Sequence, residues 1–207
     1  NDAPVTNLDP GNASGGPDDM NFPSTFVEAL GAINITESTT AAVTDVDDTT
    51  MTTLNLTWAG VLDGTSESIT IGGTTFTQGT SDTQVVTVGA TNFNIVYTTA
   101  GGGGTFALIE DGGGEMPVGD LNTLIRGITY NNSATPPNTT GTRTVQFVAN
   151  DGDIDSNTPT ATITVQATPT TDLDGDLTAA AGVTEPVDIS SIADTVGERV
   201  AVFDFTL

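Results

Sequence analysis

Between two strand-like segments, Thr142–Ala149 and Thr158–Ala167, the chain reads Asn150-Asp151-Gly152-Asp153-Ile154-Asp155-Ser156-Asn157. In both flanking segments apolar residues alternate with threonine or glutamine, which is the pattern of a half-buried β-strand. The segment between them is rich in Asp, Asn and Gly, residues that favour turns. The sequence therefore predicts two adjacent strands joined by an acidic hairpin.

Three aspartates alternate in this hairpin, Asp151, Asp153 and Asp155, and no basic residue accompanies them. Ca²⁺ takes about six to eight oxygen ligands, which carboxylates and turn carbonyls supply. Two other loops repeat the acidic pattern, one with Asp45, Asp47 and Asp48 and one with Asp172, Asp174 and Asp176. We expect these nine residues to bind Ca²⁺. The alternative is a set of solvated loops in which Asp serves only as a turn former.

The charge balance excludes several classes of function. The chain of 207 residues has 27 acidic residues against three arginines, and it has no lysine, histidine or cysteine. Nucleic acid and anionic membranes are therefore predicted to be poor partners. No run of about 18 apolar residues occurs, so we expect no membrane insertion. An acidic surface of the halophilic type is the simpler interpretation of this composition.

The missing residue types also limit catalysis. Without cysteine, histidine or lysine, the thiolate, imidazole and amine groups used in most covalent and acid–base catalysis are absent. A carboxylate pair of the glycosidase type is the remaining enzymatic possibility. We expect that the protein is not an enzyme.

The remaining pattern indicates an all-β fold. Thr- and Val-rich segments recur with a turn signal about every ten residues and predict roughly nine to eleven strands. Because the chain lacks helices that could serve as crossovers, we expect an antiparallel Greek-key β-sandwich with a C-terminal extension. The first strand is predicted within Thr25–Thr36, with a break at Gly31. Helical spacing occurs in Val118–Arg126, which predicts a short helix, and a strand is predicted at Gly127–Asn131.

The domain organisation follows from a change in composition after Ala167. Residues 1–167 are predicted to form one sandwich and residues 168–176 an acidic linker. The last segment, residues 177–207, is too short to bury a core alone. It is either the start of a second repeat or an extension that donates a strand, such as Val200–Phe205, to a neighbour. The expected partners are neighbouring repeats or identical subunits.

Several stretches resemble the cadherin-like tandem repeats of large bacterial surface proteins and adhesins. They are Asn1–Val5, Val43–Asp47, Ile128–Asn132 and Val145–Gly152. In that family, Asn-Asp-x-Pro linkers join the domains, and Asp-x-Asp loops with a first-strand Glu bind Ca²⁺ between them. The resemblance implies a cadherin-like or immunoglobulin-like sandwich in an extracellular, secreted protein. It also implies roles for Asp2 as a linker ligand, Glu28 as the first-strand carboxylate, and Asp45 and Asp47 as the loop pair.

These observations predict a calcium-binding structural or adhesive module of a cell-surface protein, a repeat or subunit of a filament or surface layer. Cell-surface glycans or proteins are candidate ligands. The alternative is a carbohydrate-binding β-sandwich, which would need exposed aromatic side chains, whereas Trp58 is expected to lie in the core. Glu110, Asp111 and Glu115, around the turn Gly112–Gly114, are a further candidate metal site.

Overall fold

The alternating pattern forms strands in a computed structural model, where they make up 49% of the described residues. The structure describes residues 1–12, 14–15 and 20–168. One compact unit spans Asn1–Thr168. Most of the predicted linker, the segment 177–207 and the candidate ligands Asp172, Asp174 and Asp176 lie outside the described residues.

Fifteen strands, more than the nine to eleven predicted, occur in the described residues, together with one α-helix and one short 3-10 helix at Gly64–Ser66. The strands are β1 (Val5–Asn7), β2 (Phe22–Val27), β3 (Ile33–Asn34), β4 (Ala42–Thr44), β5 (Thr50–Met51), β6 (Thr53–Ala59), β7 (Glu67–Ile71), β8 (Thr74–Thr77), β9 (Asp82–Val88), β10 (Thr91–Ala100), β11 (Gly103–Glu110), β12 (Met116–Pro117), β13 (Thr129–Asn132), β14 (Thr142–Asn150) and β15 (Thr160–Gln166). The helix α1 is Val118–Arg126, as predicted.

The strands form two main sheets. The larger has seven strands in the order β2-β15-β14-β6-β11-β10-β9, and the smaller has four in the order β3-β13-β7-β8. Two short pairs, β1 with β4 and β5 with β12, complete the structure. The predicted all-β sandwich is confirmed, whereas the Greek-key order of its connections stays a prediction.

One pairing departs from the antiparallel arrangement that the sequence predicted. Strand β2 runs parallel to β15, with Phe26 beside Val165. No hairpin joins these two strands, so turn geometry does not set their relative direction. The segment Thr25–Thr36 is not the first strand, because β1 precedes it, but it is divided near Gly31 as predicted, since the turn between β2 and β3 contains Ala29 and Gly31 at positive φ.

The core lies between the two main sheets and is largely aromatic and aliphatic. Phe26 on the larger sheet packs edge-on against Tyr130 on the smaller one, with ring centroids 5.5 Å apart. Phe76 on the smaller sheet makes a similar contact with Phe106 on the larger, at 5.4 Å. Trp58 is 1% exposed, which confirms its predicted place in the core. In the described residues, no helix is long and apolar enough to cross a bilayer.

A buried ion pair also joins the two sheets. Arg143 on β14 donates through Nη2 to Glu67 on β7 and to Asp63, at 3.0 Å each. Arg143 and Glu67 are completely buried. The Tyr130 hydroxyl donates to the second Glu67 oxygen at 2.8 Å. Because an unpaired carboxylate is costly in the interior, the guanidinium is required for Glu67 to remain buried.

Removal of this guanidinium should destabilise the fold strongly. We expect Arg143→Met to lower the free energy of unfolding by about 3–5 kcal/mol, since it leaves Glu67 buried without its partner. Urea denaturation followed by Trp58 fluorescence measures the change. Arg126→Met is the matched control, because Arg126 is half-buried and donates through Nε only to the Ala41 carbonyl in the described structure. Equal losses in the two variants would contradict this role of the ion pair.

Candidate metal centre

Two acidic loops that are distant in sequence meet at one end of the sandwich. One loop joins β4 to β5 and contains Asp45–Asp48, and the other is the hairpin Asn150–Asn157 between β14 and β15. Strand β1 connects them, because it pairs with β4 and exchanges hydrogen bonds with the Asn157 side chain. The Thr52 amide also donates to the Asn150 carbonyl at 2.8 Å. The pairing of β1 with β4 and these hydrogen bonds therefore hold the two acidic loops side by side.

The first loop brings three carboxylates together. Asp45, Asp47 and Asp48 each offer an oxygen within 4.8 Å of the others, and only Asp47 is exposed. Oδ1 of Asp45 accepts the amides of Asp47 and Asp48 at 3.0 and 3.3 Å, which holds the turn. Oδ2 of Asp45 is buried and has no hydrogen-bond partner. A buried polar atom without a partner requires an explanation, and a bound ion is one.

The hairpin repeats this arrangement at Asp151. Oδ1 accepts the amides of Asp153 and Ile154 at 2.7 and 2.8 Å. Oδ2 is buried without a hydrogen-bond partner, as in Asp45. Gly152 permits the tight turn with φ of +117°, a conformation that side-chain-bearing residues rarely adopt. In both loops one oxygen holds the turn, and the other is available to a ligand.

The electrostatics of the two loops are coupled. Partial burial raises the pKa of Asp48, and the charges of Asp47, Asp45, Asp151 and Glu115 raise it further. The amides of Ile154 and then Asp153 lower the pKa of Asp151, burial opposes them, the Asn1 side chain lowers the pKa further, and the nearby Asp45 charge raises it slightly. The loops thus hold Asp151 ionised close to other carboxylates. A cation bound here would relieve that repulsion.

The other predicted ligands occupy different positions. The Asp2 amide donates to Asp47 at 3.2 Å, so the segment before β1 is fixed to the cluster. The Asp153 carboxylate accepts from the Asn1 side chain at 3.0 Å, and that of Asp155 accepts from Asn150 at 2.8 Å. The three hairpin aspartates therefore bind different partners. In the described part of the chain, the one group of three close carboxylates is that of Asp45, Asp47 and Asp48.

Glu115 lies near the Asp45 cluster, although the sequence predicted it in a different site. The sequence grouped it with Glu110 and Asp111, but its Oε2 accepts from the Thr50 hydroxyl at 2.5 Å, and its charge acts on Asp48. Glu110 instead accepts the Gly114 amide at 2.8 Å within its own turn. The pairing of β5 with β12 brings Glu115 to the cluster. That pairing joins residues too far apart for a local pattern to reveal it.

Glu28 lies at the opposite end of the strands from Asp151. Strands β2 and β15 are parallel, and Glu28 follows the end of β2, whereas the acidic hairpin precedes the start of β15. Their length separates the two sites by roughly 20 Å. Oε2 of Glu28 accepts from the amide and the hydroxyl of Thr168, at 3.0 Å each. Glu28 therefore holds the chain as it leaves β15 and does not join the Asp45 cluster.

A cleft of about 350 Å³ opens beside Glu28. Its walls include Phe26, Asn131, Asn132 and Thr135. The side chains of all the tryptophan and tyrosine residues, Trp58, Tyr97 and Tyr130, are at most 1% exposed. The cleft therefore offers no tyrosine or tryptophan on which a sugar ring could stack.

Comparisons with protein-family models, with curated proteins and with solved structures found no match for this chain.

Because the pKa of Asp48 is raised, we expect its substitution to change the melting temperature in opposite directions in EDTA and in Ca²⁺. In EDTA we expect Asp48→Asn to raise the melting temperature at neutral pH, because the folded state disfavours the ionised carboxylate. Since the folded pKa is raised, this advantage should be absent below the ordinary carboxyl pKa of about 4 and should grow as the pH rises. In Ca²⁺ the same substitution should remove stabilisation.

Melting curves from pH 3 to pH 8, in EDTA and in Ca²⁺, test this expectation. Asp82→Asn is the matched control, because Asp82 lies at the start of β9, outside the candidate metal sites, and its carboxylate accepts from Gln84. An Asp48→Asn variant that melts at or below the wild-type temperature in EDTA at neutral pH would contradict the argument.

Proposed function

We propose that this protein is a calcium-binding structural or adhesive module of a secreted cell-surface protein, in which Ca²⁺ rigidifies the junction between neighbouring domains. The observation that supports it most directly is the pair of buried, unpartnered oxygens, Oδ2 of Asp45 and Oδ2 of Asp151, in two acidic loops that meet. Each belongs to a carboxylate whose other oxygen is committed to the backbone. Buried charged oxygens are expected to be paired or to coordinate a metal.

The donor set favours Ca²⁺ over other common ions. The chain has no histidine or cysteine, the usual ligands of zinc. Mg²⁺ requires a near-ideal octahedral shell and keeps several waters, whereas Ca²⁺ accepts irregular shells of carboxylates and carbonyls. Asp45, Asp47, Asp48 and Asp151 are the proposed direct ligands. Glu115 would add negative charge beside them.

The position of the site suggests how an ion would stiffen a junction. The Asp2 amide donates to Asp47, and the Asn1 side chain donates to Asp153. A cation that fixes both loops would therefore also fix the direction in which the chain enters the sandwich. At the opposite end of the sandwich, the hydrogen bond from Thr168 to Glu28 fixes the position at which the chain leaves β15. Asp172, Asp174 and Asp176, in the linker that follows, stay proposed calcium ligands.

The wider parts of the proposal rest on the resemblance to cadherin-like repeats. They include an extracellular location, neighbouring repeats or identical subunits as partners, strand donation by residues 177–207, and assembly into a filament or surface layer. The proposal assigns no catalytic residue. Extracellular calcium modules bind at roughly 10⁻⁴–10⁻³ M, so the site would be filled at the calcium concentration outside cells.

The alternative function, carbohydrate binding, has less support. A glycan-binding sandwich stacks sugar rings on exposed aromatic side chains, and the Trp58, Tyr97 and Tyr130 side chains are buried. The cleft beside Glu28 contains Phe26, but that side chain is 1% exposed and packs on Tyr130. No observation in the described residues favours this alternative.

A calcium titration of the full chain tests the proposal. We expect Ca²⁺ to raise the melting temperature with a midpoint of roughly 10⁻⁴–10⁻³ M. At about ten times the dissociation constant, the stabilisation should be roughly 1.4 kcal/mol. Asp45→Asn and Asp151→Asn should each remove most of it, because each removes a charge at an unpartnered oxygen. Calorimetry in EDTA, Mg²⁺ and Ca²⁺ measures the shift.

Asp82→Asn serves as the control, because Asp82 lies at the start of β9 and its carboxylate accepts from Gln84 in its own strand. It should keep the full calcium response. A melting temperature that does not change between EDTA and millimolar Ca²⁺ would sink the proposal, and so would equal responses in Asp82→Asn and Asp45→Asn.

A further inference from the structure

The outer face of the seven-stranded sheet carries no charge, although the chain has a formal net charge of −24. The side chains that alternate with the buried ones along these strands point away from the core. All these outward positions lie within the described residues. They hold Thr, Asn, Gln, Val, Ala, Ile, Pro and Gly, and no Asp, Glu or Arg. We call this surface the neutral face.

An apolar patch occupies one side of the neutral face, on β9, β10 and β11. Val85, Val96 and Ile109 are 51%, 36% and 40% exposed. Val96 lies directly opposite the exposed Ala107, and Val85 and Ile109 lie opposite Asn94 from either side. These side chains are therefore neighbours on one surface. Rows of threonine continue the face across β11, β6 and β14, where Thr105 pairs with Thr57 and Thr57 with Gln146.

The size of the neutral face suits a stable interface. Seven strands spaced about 4.8 Å apart span roughly 29 Å, and strands of seven residues are about 24 Å long. The product, about 700 Å², is close to the roughly 800 Å² that each partner buries in a standard protein–protein interface. Interface cores are typically depleted of charged residues, as this face is.

We infer that two copies of this chain associate through their neutral faces, with the sheets packed face to face. The charge distribution selects a second copy as the occupant. At physiological ionic strength the Debye length is about 8 Å, so the charges at the contact determine the repulsion between two acidic molecules. The outward positions of the neutral face hold no carboxylate, so contact between two neutral faces brings no such charges together. Contact through the acidic loops would place like charges together.

The chemistry of the face disfavours other occupants. A basic protein or a cationic polymer would be attracted to the carboxylates, which the neutral face does not present. A glycan would require aromatic platforms, and the outward positions contain none. A two-fold dimer instead needs one self-complementary patch, which the Thr- and Val-rich surface can supply.

Sedimentation velocity of the full chain over a hundredfold concentration range tests the inference. We expect a monomer–dimer equilibrium both in Ca²⁺ and in EDTA, since the neutral face contains none of the proposed calcium ligands. Val96→Glu and Ala107→Glu should each weaken the dimer by about tenfold or more, because a two-fold axis places each new carboxylate in the interface twice. Leu30→Glu is the matched control. Leu30 is 78% exposed in the turn after β2, outside the neutral face.

A second measurement does not depend on these variants. The chain has no cysteine, so Thr57→Cys provides a single site for a spin label on the central strand β6. Packed sheets lie about 10 Å apart, so labels in the dimer should lie within about 30 Å of each other. Thermal melts of each variant establish that it is folded before its association is compared.

Several results would overturn the inference. They are a monomer at every concentration, a Leu30→Glu variant as impaired as Val96→Glu, and a dimer without the short inter-label distance. Retention of a monomeric chain on a neutral polysaccharide, lost in Ala107→Glu, would assign the face to a glycan and also overturn the dimer. A dimer that forms while calcium leaves the melting temperature unchanged would support this inference and contradict the proposed function.

Discussion

Repulsion among carboxylates is the constraint on which the rest of this structure depends. With 27 acidic residues and three arginines, most negative charges have no basic partner within the chain. Each must be exposed, bound by backbone amides or paired with a cation. The described residues use all of these solutions in different places. The charge distribution is therefore as informative about function as the fold itself.

In the part of the chain that the structure describes, one completely buried acidic residue is paired with an arginine. Glu67 lies between the sheets because the Arg143 guanidinium and the Tyr130 hydroxyl both donate to it. Burial, followed by the charge and hydrogen bond of Glu67, raises the pKa of Tyr130, so this hydroxyl remains a donor at neutral pH. Arg143 and Glu67 are completely buried, so water is excluded from the pair. The pair thereby fixes how the two sheets face each other, since a shift would leave a buried charge unpaired.

The end of the sandwich where the chain enters shows a different solution. Asp45 and Asp151 each use one oxygen to hold a turn and leave the other buried without a partner. Backbone amides thus hold both turns, so a bound ion would need to offset only the repulsion between the loops. An ion that did so would couple the rigidity of the junction to the calcium concentration. Because the exposed charged residues lie at the ends and edges of the sandwich, the neutral face is left as one broad surface that can contact another copy.

The sequence alone determined the features that depend on local periodicity. Alternation predicts β6, β10 and β14 and the burial of Trp58, and helical spacing predicts α1, because neighbouring residues set which side chains share a face. It also identified Asp45, Asp47, Asp48 and Asp151 as candidate ligands, because acidic turns have a local signature. Only the tertiary structure joined Glu115 to them, directed Asp155 to Asn150, placed Glu28 at the opposite end and set β2 parallel to β15. These outcomes depend on which strands pair across long sequence separations, such as the 76 residues between Glu67 and Arg143, and a local pattern holds no information about that choice.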